Sequence, residues 1–346
     1  MEKNKPILDG VDPEVMDRLV SRREAIAKGA SVSTLVARGL ALGSVPVTLA
    51  ALAKDVYAQT PNDILDALQF AFILENLENE FYKAVLGTSA VAAQNTAFNT
   101  VRALIPATAR AAFAQIQKHE QQHADFLRTT AIPLFGGTAP TITANDFDFT
   151  GGNGSGTGPF ARATQELDFL LLAAQAFEDT GVRAYKGLAG RFLVAGNTNA
   201  DVALESALRI HSVEARHAAK IRRIRRGRPG ADTTALRFSG YVRGGGLAAA
   251  GVGTGIANPP AEVVAALTAI YGGATPESNT THVLFNDVTN SAVTIDTATM
   301  SGVTVMGAGE TQAIAATMAF EEPLTKQEVI DIIKGFIKND PTRGLP

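Results

Sequence analysis

Hydrophobic residues recur at helical spacing in four long segments of this 346-residue chain. In the first segment, apolar positions repeat every three or four residues, and Asn62 or Asp63 is the expected N-cap. The predicted helices run from Asn62 to about Leu86, from about Thr108 to Thr130, from about Phe160 to Ala195, and from about Ala200 to Arg226. Residues 62–228 are therefore predicted to form one domain of four long helices.

A long connection separates the second and third predicted helices. It contains a stretch from Thr150 to Pro159 that is too rich in glycine for a regular element. A phosphate-binding loop of such composition follows a strand, and the sequence predicts no strand before this one. We therefore interpret the stretch as part of a crossover loop.

The composition changes after Pro229, where glycine and threonine become more frequent. The predicted elements are, in order, a loose linker around residues 244–260, a short helix from Ala261 to Tyr271, one or two short β segments within 279–306, a helix at 313–320, and a terminal helix capped by Thr325 and running through Ile337. We expect residues 229–346 to form an extension that packs on the helices. The basic run at 221–228 is interpreted as a helix end that complements the helix dipole, rather than as a lipid or nucleic-acid contact.

The N-terminal segment, residues 1–58, has the layout of a twin-arginine export signal. Arg22 and Arg23 precede a moderately apolar stretch, and a cleavage site is expected after Ala58. The alternative is an amphipathic helix of a cytosolic protein. The apolar run from Leu40 to Ala53 is short for a bilayer crossing, so membrane contact is expected only through this segment while it is uncleaved. The pattern predicts export to the periplasm or cell envelope.

The composition limits which partners, metal sites and nucleophiles the protein can have. Apolar residues make up 46% of the chain, which is enough for a packed core, and the formal charge of −3 gives no attraction to nucleic acid. The chain has no cysteine, which excludes thiolate metal sites, disulfides and cysteine nucleophiles. Any metal must be bound by histidine and carboxylate side chains.

The motif Glu-x-x-His occurs in both the second and the fourth predicted helix. Glu120 and His123 form the first copy, and Glu214 and His217 form the second. Residues three apart share one face of a helix, and both pairs fall on the apolar stripe of their helix. Buried charges need partners or metals, so each pair is predicted to contact one ion.

The first and third helices supply matching acids on their own apolar stripes. Glu75 is followed seven residues later by Tyr82, and Glu178 is followed seven residues later by Tyr185. Glu78 also lies on an apolar stripe of the first helix, but at the same offset the third helix has glycine, so we favour Glu75. Catalytic residues stay unassigned, and both tyrosines are expected to fill the bundle beside the site.

Three further histidines lie outside these pairs. His119 and His211 precede the two motifs by one and three residues, and His282 falls in the extension. We interpret all three as structural or as outer neighbours of the site.

The order of these acids and histidines resembles the ligand set of the ferritin-like superfamily, whose dinuclear iron and manganese proteins carry this pattern on four helices. More narrowly, the twin-arginine start and the segments 74–82, 177–185 and 319–324 resemble exported bacterial ferritin-like, desiccation-related proteins. The resemblance implies a mainly α fold: a ferritin-like four-helix bundle with a long crossover from helix two to helix three, plus a C-terminal extension with short β segments and a terminal helix.

The resemblance also implies a site with two iron or manganese ions. Glu75 and Glu178 would be terminal ligands, Glu120 and Glu214 bridging carboxylates, and His123 and His217 would each bind one metal. Open positions would admit oxygen or hydrogen peroxide.

Two functions follow as hypotheses. The first is an envelope oxidoreductase, either a ferroxidase or a catalase-like enzyme, that acts in stress protection. The second is a non-catalytic metal-binding or desiccation-protective protein that uses the bundle as a scaffold. Either form is compatible with a homo-oligomer, but a closed storage cage is not expected of a chain with a long tail.

Overall fold

The fold is seen in a computed structural model, which describes residues 61–194, 196–228, 256, 259–272, 274, 276–277, 279–286, 291–299 and 321–338. The predicted export segment, the linker around 244–246 and the predicted helix at 313–320 lie outside these residues. Across the described part of the chain, each helix is too short or too polar to cross a membrane.

Four long helices form a bundle, which confirms the predicted mainly α architecture. They are α1 (Pro61–Leu86), α4 (Ala107–Phe126), α5 (Leu167–Ala189) and α6 (Thr198–Arg226), with the short helices α2 (Ala92–Ala97) and α3 (Asn99–Leu104) between the first two. Helix α1 packs along α4 and α5 packs along α6, and the two pairs meet through α1 with α5 and α4 with α6. The predicted crossover therefore joins two antiparallel helix pairs.

The helix ends follow local sequence signals. Proline begins α1 at Pro61, so Asn62 and Asp63, expected as caps, lie inside its first turn. The Asn197 side chain caps α6 by accepting from the backbone N–H groups of Asn199 and Ala200. A π-helical turn, Leu127–Ala131, extends α4 to the boundary that the sequence predicts.

The predicted third helix was too long at both ends. Residues 161–164 form a 3₁₀ turn, because the Phe160 N–H donates to the Thr150 oxygen and ties this stretch to the crossover. At the other end, a second 3₁₀ turn, Gly190–Phe192, replaces the last predicted residues. Helices α2 and α3 were not predicted, because α2 has no buried residue and α3 has only one.

The glycine-rich stretch is a loop, as predicted. The Asp148 carboxylate accepts from the backbone N–H groups of Thr150, Gly154 and Gly156, at 3.0, 2.8 and 3.1 Å. Gly154 and Gly156 have φ values of +91° and +72°, which glycine adopts without steric cost. One carboxylate thus organises the turn, and no phosphate is needed to explain its glycines.

The C-terminal extension packs against α5. It contains α7 (Ala261–Tyr271), an antiparallel hairpin of β1 (Thr281–Asn286) and β2 (Ser291–Asp296), and α8 (Lys326–Ile333). Thr325 caps α8 through a capping box with Glu328, as expected. Helix α8 ends four residues before the predicted Ile337, because the chain then pairs with the crossover, where the Asp148 N–H donates to the Phe336 oxygen at 2.8 Å.

Residues 321–325, which we call the strap, cross the outer face of α5. The Leu324 N–H donates to the Arg183 backbone oxygen at 3.1 Å, and Arg183 Nε donates to the Glu322 backbone oxygen at 2.8 Å. A Cβ at Gly187 would clash with the backbone oxygen of Leu324. The glycine is therefore required for this close approach, and the strap covers the helix that carries Glu178.

Candidate metal centre

All six residues that the sequence singles out converge in the middle of the bundle. Each of the four long helices directs its glutamate inward, and α4 and α6 add a histidine one turn further along. The four glutamates are fully buried at 0% exposure, the His217 side chain is 5% exposed and the His123 side chain is 12% exposed. The apolar stripes place these polar groups in the core.

The six side chains form two overlapping groups of four. The first contains Glu75, Glu120, His123 and Glu214, and the second contains Glu120, Glu178, Glu214 and His217. Within each group, one nitrogen or oxygen atom from every residue lies within 4.8 Å of the others. Glu120 and Glu214 belong to both groups, which is the arrangement that two bridging carboxylates require.

Both histidines face these carboxylates through Nδ1. His123 Nδ1 lies 3.1 Å from an oxygen of Glu75, 3.1 Å from one of Glu120 and 3.2 Å from one of Glu214. His217 Nδ1 lies 2.7 Å from Glu120 Oε1 and 3.2 Å from Glu178 Oε2. Each imidazole therefore directs one nitrogen at the centre of its group.

Several of these atoms have no hydrogen-bond partner among the described residues. They are Glu120 Oε1, Glu178 Oε2, both carboxylate oxygens of Glu214 and His217 Nδ1. The close approach of His217 Nδ1 to Glu120 Oε1 lacks the alignment of a hydrogen bond. Buried polar atoms without partners are costly, and cations would satisfy them. Four carboxylates also balance the charge of two divalent ions, so this donor set fits iron or manganese.

Comparison with known families agrees with this geometry. The family model of the ferritin-like domain matches residues 63–226. The bundle is a ferritin-like domain. The chain matches no curated protein and no solved structure, so the narrower assignment to exported, desiccation-related proteins stays a prediction.

Repulsion and burial dominate the electrostatics of the ferritin-like site. Burial, followed by repulsion from Glu120, raises the pKa of Glu214 well above its usual range. Burial also raises the pKa of Glu120 to about 7, although His123 and His217 oppose the shift. Burial alone would lower the pKa of His217, but the close approach of its Nδ1 to the Glu120 and Glu178 carboxylates outweighs burial and raises the pKa to about 11. Without cations, protons balance the charge of the cluster.

The two tyrosines link the helix pairs reciprocally. The Tyr82 hydroxyl of α1 donates to Glu178 Oε1 of α5, and the Tyr185 hydroxyl of α5 donates to Glu75 Oε1 of α1. Burial raises the pKa of both hydroxyls well above their usual value. The tyrosines therefore remain protonated donors, and each orients the terminal glutamate of the opposite helix.

Glu78 is a fifth carboxylate at the site. From the sequence, we favour Glu75 over it as the ligand from the first helix. It is 4% exposed, and a Cβ at Gly181 would lie 3.2 Å from Glu78 Oε1 and 3.2 Å from Glu214 Oε2. Burial, then repulsion from Glu214, raises its pKa well above its usual range. Its sequence signal is the apolar stripe that it shares with Leu74 and Phe81, although the matching position of the third predicted helix is Gly181.

The other three histidines differ in their distance from the centre. His119 Nδ1 lies 2.8 Å from His217 Nε2, so His119 is a direct neighbour of the site. His211 Nδ1 lies 3.0 Å from the backbone oxygen of Val182, and His282 Nδ1 lies 3.5 Å from Glu322 Oε1 in the extension. Neither His211 nor His282 belongs to the two groups of four.

Proposed function

We propose that the ferritin-like domain binds two iron or manganese ions and acts as an oxidoreductase on oxygen or hydrogen peroxide. The observation that carries this proposal is the pair of overlapping groups that share Glu120 and Glu214. Two shared carboxylates hold two cations close together, which is the arrangement of dinuclear carboxylate sites.

Each ion would have its own terminal glutamate and histidine. Glu75 and His123 would hold the first ion, and Glu178 and His217 would hold the second, with Glu120 and Glu214 between them. A dinuclear iron or manganese pair supplies two-electron exchange with oxygen or peroxide when bound. The domain itself supplies buried carboxylates that favour the higher oxidation states.

Burial restricts what can react. The four glutamates have no exposed surface, and aromatic rings such as those of Tyr82 and Phe113 close the bundle beside them. Such a site favours a small oxidant over a bulky organic substrate. Tyr82 and Tyr185 would keep Glu178 and Glu75 oriented during the reaction. Two reactions fit: oxidation of ferrous iron, and disproportionation of hydrogen peroxide to water and oxygen.

We further propose that the protein works in the periplasm or cell envelope in stress protection. The twin-arginine pattern at Arg22 and Arg23 supports this location, because that route carries folded proteins and would allow metal loading before export. A homo-oligomer is compatible with the proposal, and no nucleic-acid partner is expected.

The proposal is tested by loading the purified protein with Fe²⁺ or Mn²⁺ without oxygen. Iron oxidation is then followed by absorbance after oxygen or peroxide is added, and oxygen release from peroxide is followed with an electrode. We expect one of these activities in the wild type and its loss in Glu214→Gln. The control, Glu205→Gln, changes an exposed residue of the same helix and should retain full activity. Absence of both activities in a protein that holds two ions would favour the non-catalytic protective function instead.

A further inference from the structure

We propose that His119 is a positioning residue for His217, so that the two metal positions of the site are not equivalent. This inference rests on the proposed dinuclear site, and it concerns how one ligand of that site is oriented. His119 belongs to neither of the two groups of four, and its hydrogen bond to the site goes to His217.

The two imidazole rings of His119 and His217 are placed for a direct hydrogen bond. His119 Nδ1 lies 2.8 Å from His217 Nε2, the ring centroids are 5.1 Å apart and the ring planes are nearly parallel, inclined by 11°. The other nitrogen of His217, Nδ1, faces Glu120 and Glu178. One nitrogen of His217 is therefore bonded to His119 while the other faces the metal position.

This division of roles fixes the tautomer of His217. A neutral imidazole has one nitrogen that donates and one that accepts. For Nδ1 to offer its lone pair to a cation, the proton must reside on Nε2, where His119 Nδ1 accepts it. Hydrogen-bond partners of this kind set the ring orientation and the basicity of metal-bound histidines.

His119 is itself held in place. The side-chain amide nitrogen of Gln115, one turn earlier on α4, lies 2.7 Å from His119 Nε2. When His119 Nδ1 accepts from His217, His119 Nε2 carries the proton, so the Gln115 amide turns over to accept it through its oxygen. A series of hydrogen bonds from Gln115 through His119 to His217 thus runs from the exposed face of α4 into the site.

The position on α6 that corresponds to His119 is not a histidine. Val213 precedes Glu214 on α6 as His119 precedes Glu120 on α4, and valine offers no polar atom. Among the described residues, the hydrogen bonds of His123 run from Nδ1 to carboxylates. Its side chain is also more exposed than that of His217, at 12% against 5%. We therefore expect the position of His217 to be the tighter one.

The test compares two substitutions of His119 by calorimetric titration of the full-length, metal-free protein with Mn²⁺. His119→Leu removes the acceptor, whereas His119→Asn retains a polar atom near the place of Nδ1. We expect His119→Leu to weaken one of two binding steps by about 10- to 100-fold and His119→Asn to restore most of that loss. Val213→Ala, the matched control, should bind as the wild type does.

Three results would overturn the inference. Equal affinities in the wild type and His119→Leu would show that His217 needs no partner. A weakening of both steps, or one that His119→Asn does not restore, would show a general packing effect. A wild type that binds fewer than two Mn²⁺ ions would instead overturn the proposed function, and this inference with it. Thermal unfolding of each variant establishes that it is folded.

Discussion

The two halves of the bundle, α1 with α4 and α5 with α6, present the same ligands but are stabilised by different forces around them. Each half contributes one glutamate, one Glu-x-x-His pair and one tyrosine that bonds to the opposite half. The neighbours of these ligands differ at almost every matched position. The comparison shows that one site geometry is compatible with two different kinds of support.

Aromatic rings pack on helix α1, and we call the cluster of Phe81, Phe98, Phe149 and Phe177 the aromatic wall. Phe81 packs edge-on against Phe98, which lies between α2 and α3, and against Phe149 of the crossover, with ring centroids 6.0 and 5.8 Å apart, and it also contacts Phe177 of α5. All of these rings are buried. Apolar burial is non-directional, so we expect this wall to adapt to small changes in shape.

Buried ion pairs cover helix α5, and we call the cluster of Arg183, Glu277, Asp179 and Arg222 the ionic wall. Arg183, fully buried on its outer face, pairs with Glu277 at 2.9 Å and donates to backbone oxygens of Ile270 and Glu322. Asp179 pairs with Arg222 and accepts from the Tyr271 hydroxyl at 2.6 Å. Removing one partner of a buried ion pair strongly lowers the free energy of unfolding, because the other charge is left unpaired.

Removing the charge of Arg183 should therefore have the largest effect. We expect Arg183→Leu to lower the free energy of unfolding by about 3–5 kcal/mol, because it leaves the Glu277 carboxylate and several backbone oxygens without their donor. Urea denaturation measures the change. Arg209→Leu, which removes an arginine that is 77% exposed and paired with Glu205, should change it by less than about 0.5 kcal/mol. Similar losses in the two variants would refute the ionic wall.

The second prediction concerns the carboxylate that only one half contains. Glu78→Gln should stabilise the metal-free protein by about 1–2 kcal/mol at pH 7, because folding then no longer requires a buried carboxyl group beside Glu214 to take up a proton, while the shape is kept. Thermal unfolding of both forms after chelation checks this. Destabilisation would mean that Glu78 has a partner that outweighs the repulsion.

The aromatic wall should tolerate a change of shape. Phe81→Leu keeps most of the buried apolar volume, so we expect it to cost about 1 kcal/mol. The comparison with Arg183→Leu uses the same denaturation assay. A loss as large as that of the arginine variant would show that the rings need their edge-on geometry as strictly as the ion pair needs its charges.

The smallest expected effect lies in the loop between the halves. Burial alone would raise the pKa of Asp148, but hydrogen bonds from Thr150, Gly156 and Gly154 outweigh it and lower the pKa below its usual 3.8. Its contribution is therefore present above about pH 3.8 and is lost as the pH falls through the lowered pKa. Asp148→Asn should cost about 0.5 kcal/mol at pH 7 and flatten the loss of stability in acid. An unchanged acid profile would show that the carboxylate does not organise the loop.

The helical bundle was predictable because its determinants are local. Apolar spacing placed the four long helices, and a three-residue spacing placed Glu120 beside His123 and Glu214 beside His217. The seven-residue step from glutamate to tyrosine also selected Glu75 and Glu178, which the structure brings to the same place as the two pairs. These patterns depend on the geometry of a single helix.

What the sequence did not predict depends on distant partners or on broken symmetry. The ionic wall joins Arg183 to groups that follow it by 87 to 139 residues, and no local pattern announces such pairs. Glu78 was set aside because the matching position is Gly181, yet that glycine provides the space in which its carboxylate lies. Helix α2 lacks a buried stripe, so periodicity could not reveal it.

The most direct test of the central claim is the metal content of protein purified from its own host, measured by elemental analysis. We predict about two iron or manganese ions per chain in the wild type. His123→Ala and His217→Ala should each retain about one ion, Glu214→Gln should lose most of both, and Glu205→Gln should match the wild type. Sub-stoichiometric metal that none of these substitutions changes would contradict the account, because the buried cluster would then be balanced by protons alone.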